Sequence, residues 1–125
     1  MAKLILVDDS PFLLDQFKNF INNNGHEVIA TGKDGLEGIS LFQKHKPDLI
    51  TLDITMPNLS GVESLKEILK ISPEAKVLVV SAINDKATLL NCLEIGAAGF
   101  IQKPLKLKDP EYCIDLLTTI NDILE

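Results

Sequence analysis

The sequence predicts an α/β protein in which a parallel sheet of five strands is covered by helices on both faces, a doubly wound (βα)5 architecture. Short continuous apolar runs, typical of strands buried on both faces, alternate with stretches whose apolar residues recur about every 3.6 positions, as in amphipathic helices. Five segments of each kind alternate along the 125 residues. The length fits one domain spanning residues 1–125, because domains commonly have about 100–150 residues. The five-stranded form of this architecture has the strand order 2-1-3-4-5.

The five predicted strands are short. Residues 4–7, 49–52 and 77–80 are almost entirely apolar, and residues 99–101 form a shorter run of the same kind. Residues 28–30 form a weaker strand, which we place at or near an edge of the sheet. The connections between consecutive strands are long enough for crossover helices, so parallel pairing is the expected arrangement.

Five amphipathic stretches are predicted helices. Their periodic apolar residues are Phe12, Phe17, Phe20 and Ile21 in the first, Leu36, Ile39, Leu41 and Phe42 in the second, Leu65, Ile68 and Leu69 in the third, Leu89, Leu90 and Leu93 in the fourth, and Leu116, Leu117, Ile120, Ile123 and Leu124 in the fifth. Ser10 and Asp109 are predicted N-caps, each followed by proline at the first helical position. Helix ends are predicted at Gly25, Pro47 and Gly96.

The composition argues against two classes of partner. There are 18 acidic and 12 basic residues, for a net charge of -6, and every basic residue is lysine. Nucleic-acid binding requires a concentrated basic patch and reads bases chiefly through arginine, so we expect no nucleic-acid partner. No apolar run approaches the roughly 20 residues that cross a bilayer. We therefore expect a cytoplasmic protein with no membrane contact.

The cysteines and histidines form no recognisable site. Cys92 and Cys113 fall in predicted helices without metal-ligand spacing, and we expect both to be buried reduced thiols. His26 and His45 each stand near a helix end, where capping or solvation is the simplest role. No function is assigned to these four residues.

Polar side chains follow four of the predicted strands. Asp8 and Asp9 follow the first strand, Asp53 the third, Ser81 the fourth and Lys103 the fifth. Because the carboxyl ends of parallel strands lie at one edge of a sheet, these groups are expected to converge in the crevice where such sheets bind ligands. Each residue alone has an ordinary role, as a helix cap, a turn or a solvated rim residue. Their convergence indicates a functional site.

Three carboxylates in one crevice would repel each other and need a cation. Oxygen ligands without cysteine or histidine favour Mg²⁺, with Mn²⁺ as the alternative, and Mg²⁺ binds readily beside phosphate oxygens. With the metal and Lys103 neutralising a phosphoryl group and Ser81 donating to one of its oxygens, a carboxylate in line can form an aspartyl phosphate. Asp53 is the strongest candidate, because an aspartate that closes a buried apolar strand must be paired or hydrogen-bonded.

Four motifs, in this order, make the chain similar to a known family. They are Val7-Asp8-Asp9, Asp53-Ile54-Thr55-Met56-Pro57 with Gly61, Val80-Ser81-Ala82 and Lys103-Pro104. The chain resembles a response-regulator receiver domain over essentially its whole length, and most of all the stand-alone, CheY-like receivers, which have no output domain. The resemblance implies the flavodoxin-like strand order and a role in two-component signalling.

The resemblance implies a phosphoacceptor and a metal site. Asp53 would accept a phosphoryl group from a phosphohistidine on a histidine kinase or phosphotransfer protein, with Mg²⁺ as cofactor. Mg²⁺ would be held by Asp9, Asp53 and the backbone carbonyl of Thr55, with Asp8 acting through water.

The resemblance also implies a switch. Ser81 and Lys103 would bind phosphoryl oxygens, the Lys103-Pro104 peptide bond would be cis, and Phe100 matches the family's switch aromatic. Ser81 would move toward the phosphoryl group and let the Phe100 ring turn inward, which alters a face formed by the fourth helix, fifth strand and fifth helix. An aromatic residue on a central strand is also an ordinary core residue, so both roles for Phe100 stay open.

The expected function is that of a phosphoacceptor response regulator in a two-component or chemotaxis-type phosphorelay. Its downstream target, a flagellar switch or another effector protein, would bind the face just described, and the receiver would be a monomer. We expect no enzymatic activity beyond self-catalysed phosphoryl transfer to Asp53 and autodephosphorylation. Thr55 and Ile83 are predicted to flank the path of the attacking water and to influence the lifetime of the phosphorylated state.

Three other functions share some of these features. A receiver-fold interaction module would work without phosphorylation, although all five phosphorylation residues are present. A phosphatase similar to the haloacid dehalogenases would need an aspartate where the chain has Thr55. An electron carrier similar to flavodoxin would need a hydroxyl- and glycine-rich phosphate loop after the first strand, and the chain has neither this loop nor tryptophan.

Overall fold

The computed structural model describes residues 1–56, 58–82 and 86–125. Pro57 and residues 83–85, which include Ile83, lie outside the described residues. The strands are β1 (Lys3–Val7), β2 (Glu27–Gly32), β3 (Leu49–Leu52), β4 (Val77–Ser81) and β5 (Gly99–Gln102). The helices are α1 (Pro11–Asn22), α2 (Gly35–His45), α3 (Gly61–Ile71), α4 (Lys86–Ile95) and α5 (Pro110–Leu124). Strands and helices alternate, as the sequence predicts.

The five strands form one parallel sheet in the order β2-β1-β3-β4-β5, which confirms the predicted fold. The weak predicted strand is the edge strand β2, and β5 forms the other edge. Val7 pairs with Leu52, and Leu52 pairs with Val79, so the three middle strands are in register near their carboxyl ends. This register brings the residues that follow β1 and β3 side by side.

Each face of the sheet carries its own apolar core, because successive residues of a strand point to opposite faces. On one face, Leu4 and Leu6 of β1 belong to a core that includes the buried sides of α1 and α5. On the other face, Ile5 and Val7 belong to a core that includes buried residues of α2, α3 and α4. Two covered faces explain why the central strands are apolar runs without alternation.

Phe12 and Leu36 do not lie on the buried faces of their helices, contrary to the prediction from periodicity. Phe12 is 74% exposed and Leu36 is 56% exposed. Phe12 lies five residues before the buried Phe17, which places it about 140° away around α1. Leu36 lies six residues before the buried Phe42, which places it about 120° away around α2. Both helices are present as predicted, but in the first turn of each the strip of buried residues is narrower than the apolar pattern indicates.

The fourth helix buries a different side from the one predicted. Leu90 and Leu93 are exposed, and the buried residue of α4 is Cys92. Cys92 is therefore the buried thiol that the sequence predicts. Cys113 was expected to be buried too, but it is half-buried, with its Sγ atom 3.3 Å from the carbonyl oxygen of Leu107.

The helix boundaries follow the signals in the sequence. Ser10 and Asp109 are N-caps, and their side chains accept hydrogen bonds from backbone N–H groups of the first turns of α1 and α5. Gly25 and Gly96 have φ angles of 90° and 128°, which side chains disfavour, and each follows a helix. Among the described residues, no helix combines the length and the hydropathy needed to span a bilayer.

Candidate functional site

The polar residues predicted to converge lie at the carboxyl edge of the sheet. Asp8 follows β1 and is 3% exposed, and Asp53 follows β3 and is 5% exposed. Ser81 ends β4 and is also buried, whereas Asp9 is exposed. The backbone N–H of Asp53 donates to the carbonyl oxygen of Val7, which continues the pairing of β1 and β3 by one residue. The sheet register thus places two buried carboxylates next to each other.

The carboxylates of Asp8, Asp9 and Asp53 form an acidic cluster. Each offers one oxygen atom, and these three atoms all lie within 4.8 Å of one another. Such a set of hard oxygen donors suits Mg²⁺ or Mn²⁺, and Mg²⁺ in particular keeps waters and phosphate oxygens as its remaining ligands. The cluster therefore fits the metal that the sequence predicts.

Lys103 reaches this cluster from the end of β5. Its Nζ atom lies 2.7 Å from Oδ2 of Asp8 and 3.3 Å from Oδ2 of Asp53. Its backbone N–H donates to the carbonyl oxygen of Ser81 at 2.9 Å, which anchors the start of the following loop to β4. The Lys103-Pro104 peptide bond is cis, the isomer that the resemblance implies. One ammonium group therefore contacts two buried carboxylates.

The surroundings shift the pKa values of both charged partners. Burial raises the pKa of Asp53 and outweighs the positive charge of Lys103, and the Asp8 carboxylate raises this pKa further. Burial also acts to lower the pKa of Lys103, but the hydrogen bonds and charges of Asp8 and Asp53 outweigh it and raise the pKa above its usual value. Lys103 is therefore held as a cation beside a carboxylate that is costly to ionise.

Backbone groups orient the two buried carboxylates. The N–H of Ser10 donates to Oδ1 of Asp8 at 2.9 Å. The N–H of Thr55 donates to Oδ1 of Asp53 at 3.2 Å, and the Thr55 side chain is exposed. Each carboxylate thus has one oxygen bonded to backbone and the other bonded to Lys103.

Phe100 lies on β5, where it pairs with Val79. The expectation of a central strand is wrong for this residue, because β5 is an edge strand and Phe100 is half-buried at the rim of the core that includes α4. A ring in this position has core on one side and solvent on the other. Ile83, the other residue singled out near Ser81, lies outside the described residues.

Sequence reasoning missed a pair of residues beside the site. Asp34, the N-cap of α2, accepts a hydrogen bond from the side chain of Asn58, which lies in the segment after Asp53. The Asp34-Gly35 step before an apolar helical pattern is a recognisable N-cap signal. Its link to the segment after β3 is visible only in the fold.

Comparison with known proteins agrees with the fold and the acidic crevice. Residues 4–111 match the family model described as response regulator receiver domain. The chain is 34% identical over 119 residues to the chemotaxis protein CheY of Thermotoga maritima, with 95% of this chain and 97% of that protein covered. It is 39% identical over 106 residues to the chemotaxis protein CheY of Listeria monocytogenes, with 85% of this chain and 89% of that protein covered.

A solved structure shows the same similarity. A chain in the CheX-CheY-BeF3-Mg²⁺ complex from Borrelia burgdorferi superposes with a TM-score of 0.90 at 30% identity, covering 98% of this chain and 89% of that one. The fold and the crevice define a doubly wound α/β protein with an acidic crevice at the carboxyl edge of the sheet, where proteins of this architecture bind their ligands. The chain belongs to the response-regulator receiver family.

Family membership favours a response regulator over the phosphatase and the electron carrier considered above. As a receiver homologous to CheY, the chain is a response regulator of chemotaxis or two-component signalling. Receivers generally bind Mg²⁺ at an acidic pocket, and Asp8, Asp9 and Asp53 form an acidic cluster in this chain. Receivers of this kind interact with kinases and with effector proteins.

Proposed function

We propose that the protein works as a phosphoacceptor switch in which Asp53 takes a phosphoryl group from a phosphohistidine of a histidine kinase or phosphotransfer protein. The observation that carries this proposal is the contact of the Asp53 carboxylate with Lys103, beside a cluster of three carboxylates. A carboxylate oxygen of Asp53 forms the new bond to phosphorus as the bond between phosphorus and the histidine nitrogen breaks. The electron pair of the broken bond stays on the histidine nitrogen. With one proton on its two ring nitrogens, the imidazole leaves as a neutral group.

Mg²⁺ is the cofactor that we propose for this transfer. Asp9, Asp53 and the backbone carbonyl of Thr55 would hold it, with Asp8 acting through water, and Mn²⁺ would serve in its place. The ion would neutralise negative charge on the phosphoryl group. The acidic cluster supports this proposal, because three carboxylates with oxygens within 4.8 Å of one another carry more negative charge than Lys103 alone can neutralise.

Ser81 and Lys103 are the proposed partners of the phosphoryl oxygens. Lys103 already contacts Asp53, so a phosphoryl group attached to that carboxylate would lie within reach of its ammonium. The ammonium would then exchange part of its contact with the carboxylates for a contact with the phosphoryl group. Ser81 is buried at the end of β4, and its hydroxyl is the group that we propose to move when the phosphoryl group is present.

We define the target face as Leu90, Leu93, Phe100 and Ile114, which lie on α4, β5 and α5. Leu90, Leu93 and Ile114 are exposed, and Ile114 is 64% exposed. Exposed apolar side chains on adjoining elements favour a protein partner. The downstream target, a flagellar switch or another effector, would bind here when Phe100 turns inward. Recognition at this position would be apolar, because Phe100 has no hydroxyl.

The activity we propose is limited to the protein's own phosphoryl group. Asp53 would be phosphorylated in a self-catalysed step and would lose the phosphoryl group by autodephosphorylation, with no turnover of another substrate. The receiver would act as a monomer. Similarity to chemotaxis CheY proteins supports a chemotaxis-type phosphorelay, and another two-component phosphorelay would use the same chemistry.

Intact mass spectrometry tests the proposal. The protein is incubated with Mg²⁺ and acetyl phosphate, with the Asp53→Asn variant and a Mg²⁺-free sample alongside. A single phosphoryl adduct that needs both Mg²⁺ and Asp53 is expected. Asp115→Asn, which changes an exposed aspartate of α5, is the matched control and should keep the adduct.

A second function would be favoured by the opposite result. If the folded protein forms no adduct with acetyl phosphate or with a phosphorylated histidine kinase as donor, Asp53 is a structural acid. The protein would then be a receiver-fold interaction module that works without phosphorylation.

A further inference from the structure

The start of α2 is bonded to the segment that follows the proposed nucleophile. Nδ2 of Asn58 donates a 2.6 Å hydrogen bond to Oδ2 of Asp34, and the backbone N–H of Glu37 donates to Oδ1 of Asp34 at 2.8 Å. Asp34 is 8% exposed. We define the nucleophile loop as the described residues 54–56 and 58–60, which connect β3 to α3. One buried carboxylate thus caps a helix and binds a side chain of the nucleophile loop.

Backbone contacts beside this hydrogen bond bring α2 close to the loop. The N–H of Gly35 donates to the carbonyl oxygen of Leu59 at 3.1 Å. A Cβ atom at Gly35 would overlap that carbonyl group, so this approach requires glycine. Ser64 of α3 is completely buried, and its hydroxyl donates to the carbonyl oxygen of Gly35 at 3.0 Å. The first residue of α2 is therefore bonded both to the loop and to the helix after it.

The loop itself has one residue in an unfavourable conformation. Asn58 has a φ angle of 67°, in the left-handed region that costs energy for residues other than glycine but is adopted by asparagine more often than by most. At the ends of the loop, the N–H of Gly61 donates to the carbonyl oxygen of Ile54, and the N–H of Thr55 donates to Asp53. The hydrogen bond to Asp34 is a side-chain contact that holds Asn58 in this left-handed conformation.

We propose that Asp34 and Asn58 are positioning residues, whose hydrogen bond holds the nucleophile loop so that Asp53 and the Thr55 carbonyl face the metal and the phosphoryl group together. Neither residue touches the reacting atoms, and neither is a metal ligand in the proposed function, on which this inference rests. When the bond is removed, all ligands remain, but the loop samples conformations in which they are not aligned. Mg²⁺ binding then weakens and phosphorylation slows.

Two variants remove this hydrogen bond from opposite sides. Asn58→Gly deletes the donor and keeps a residue that accepts the left-handed φ angle. Asp34→Ser keeps a side-chain oxygen that can cap α2 but is too short to reach position 58. In each variant, the Mg²⁺ dissociation constant measured by titration calorimetry should rise about tenfold, as expected for one hydrogen bond to a charged group. The variant that carries both Asn58→Gly and Asp34→Ser should bind Mg²⁺ as tightly as either single variant, because both substitutions remove the same hydrogen bond.

Amide hydrogen exchange without metal supplies a readout that does not depend on phosphorylation. The N–H groups of Gly35 and Gly61 should exchange faster in both variants, while those of the central strands keep their protection. Asn22→Ala is the control, because it removes a 2.9 Å side-chain bond to the N–H of Val28 at the opposite end of the sheet. This control should leave both the Mg²⁺ dissociation constant and the exchange of Gly35 and Gly61 unchanged.

Exchanging the two side chains tests the contact itself. Asn58→Asp alone places a carboxylate against Asp34 and should speed the exchange of the Gly35 N–H. Adding Asp34→Asn restores the hydrogen bond in the reversed direction, with the amide at position 34 as donor and the carboxylate at position 58 as acceptor. The single and the double variant carry the same carboxylate at position 58. In the double variant, hydrogen exchange of the Gly35 N–H should therefore be as slow as in the wild-type protein.

The outcomes separate this inference from the proposed function. If the wild-type protein is phosphorylated and binds Mg²⁺, and Asn58→Gly and Asp34→Ser bind Mg²⁺ as tightly as wild type, the positioning role is wrong although the proposed function stands. If the wild-type protein binds Mg²⁺ but is never phosphorylated, the proposed function fails, and weaker Mg²⁺ binding in the two variants still supports the positioning role.

Discussion

The ammonium nitrogen of Lys103 lies 3.3 Å from a carboxylate oxygen of Asp53, although the two residues are 50 positions apart in the chain. The same nitrogen is closer to Asp8, at 2.7 Å. Lys103 therefore balances much of the negative charge that β1 and β3 bring to the edge of the sheet. Its removal should have a larger effect on the protein than the loss of an ordinary surface lysine.

Lys103→Met should destabilise the metal-free protein by about 1–3 kcal/mol, because it leaves two buried carboxylates without their cation. Added Mg²⁺ should recover part of this loss by taking over the charge balance. Urea unfolding with and without Mg²⁺ measures both effects. Lys106→Met, an exposed lysine of the same loop, is the control and should stay within about 0.5 kcal/mol of wild type. Equal losses in the two variants would contradict this role for Lys103.

Asp53→Asn should make the metal-free protein more stable at neutral pH, by roughly 2–5 °C in Tm. The pKa of Asp53 is raised from an ordinary value of 3.8, chiefly by burial, so between these two values the folded state binds more protons than the unfolded state. The stability contributed by Asp53 therefore falls as pH rises above 3.8, and it stays low above the raised pKa. The Asp53→Asn variant does not lose stability in this way, because asparagine carries no carboxyl group that ionises.

Thermal unfolding of both proteins in a chelator, from acidic to neutral pH, measures the difference. It should be small near pH 3.8 and grow as pH rises. Asp115→Asn serves as the exposed control. A wild-type protein that matches Asp53→Asn at every pH would show that the site does not disfavour the carboxylate.

Gly61→Ala should destabilise the protein by at least about 2 kcal/mol and slow the phosphorylation of Asp53. A Cβ atom at Gly61 would overlap the carbonyl oxygen of Asp53 and the backbone of Ile54, so the backbone around the nucleophile must move. Gly38→Ala in the middle of α2 is the matched control, since its Cβ would meet only side-chain atoms, at 3.4 Å. Urea unfolding and intact mass after acetyl phosphate treatment measure the two effects. The prediction fails if both alanine variants behave alike.

The ring of Phe100 should change its environment when beryllofluoride and Mg²⁺ are added as a phosphoryl mimic. The ring lies half-buried on an edge strand, and the proposed movement of Ser81 would let it turn toward the core. NMR of the aromatic side chains follows the change, and Phe17, buried in α1, is the internal reference that should stay constant. The change should be absent in Asp53→Asn. Identical Phe100 signals with and without the mimic would overturn the proposed switch.

The sheet and its site were predictable because their signals are local in the sequence. Continuous apolar runs marked β1, β3 and β4, and the polar residue after each run had to lie at one edge of a parallel sheet. Asp8, Asp53 and Lys103 come together for this reason, and no long-range information was needed beyond the parallel arrangement.

The outer surfaces of the helices were less predictable. An apolar periodicity tells which residues are able to be buried, whereas the packing of each helix on the sheet decides which ones are. Phe12 continues an apolar pattern but turns away from the sheet, and Cys92 occupies the place in α4 that the pattern assigned to leucines. The contact of Asp34 with Asn58 was not predictable either, because it joins two loops that only the fold brings together.

The Asp8 carboxylate connects two parts of the molecule that are far apart in the chain. One of its oxygens accepts from the N–H of Ser10, the N-cap of α1, and the other pairs with Lys103. If Lys103 turns from Asp8 toward a phosphoryl group, as proposed, the carboxylate that anchors the first turn of α1 should lose the charge that orients it. The amide signal of Ser10 should therefore shift when Lys103 moves away from Asp8, and it reports this movement from the start of α1 rather than from the target face.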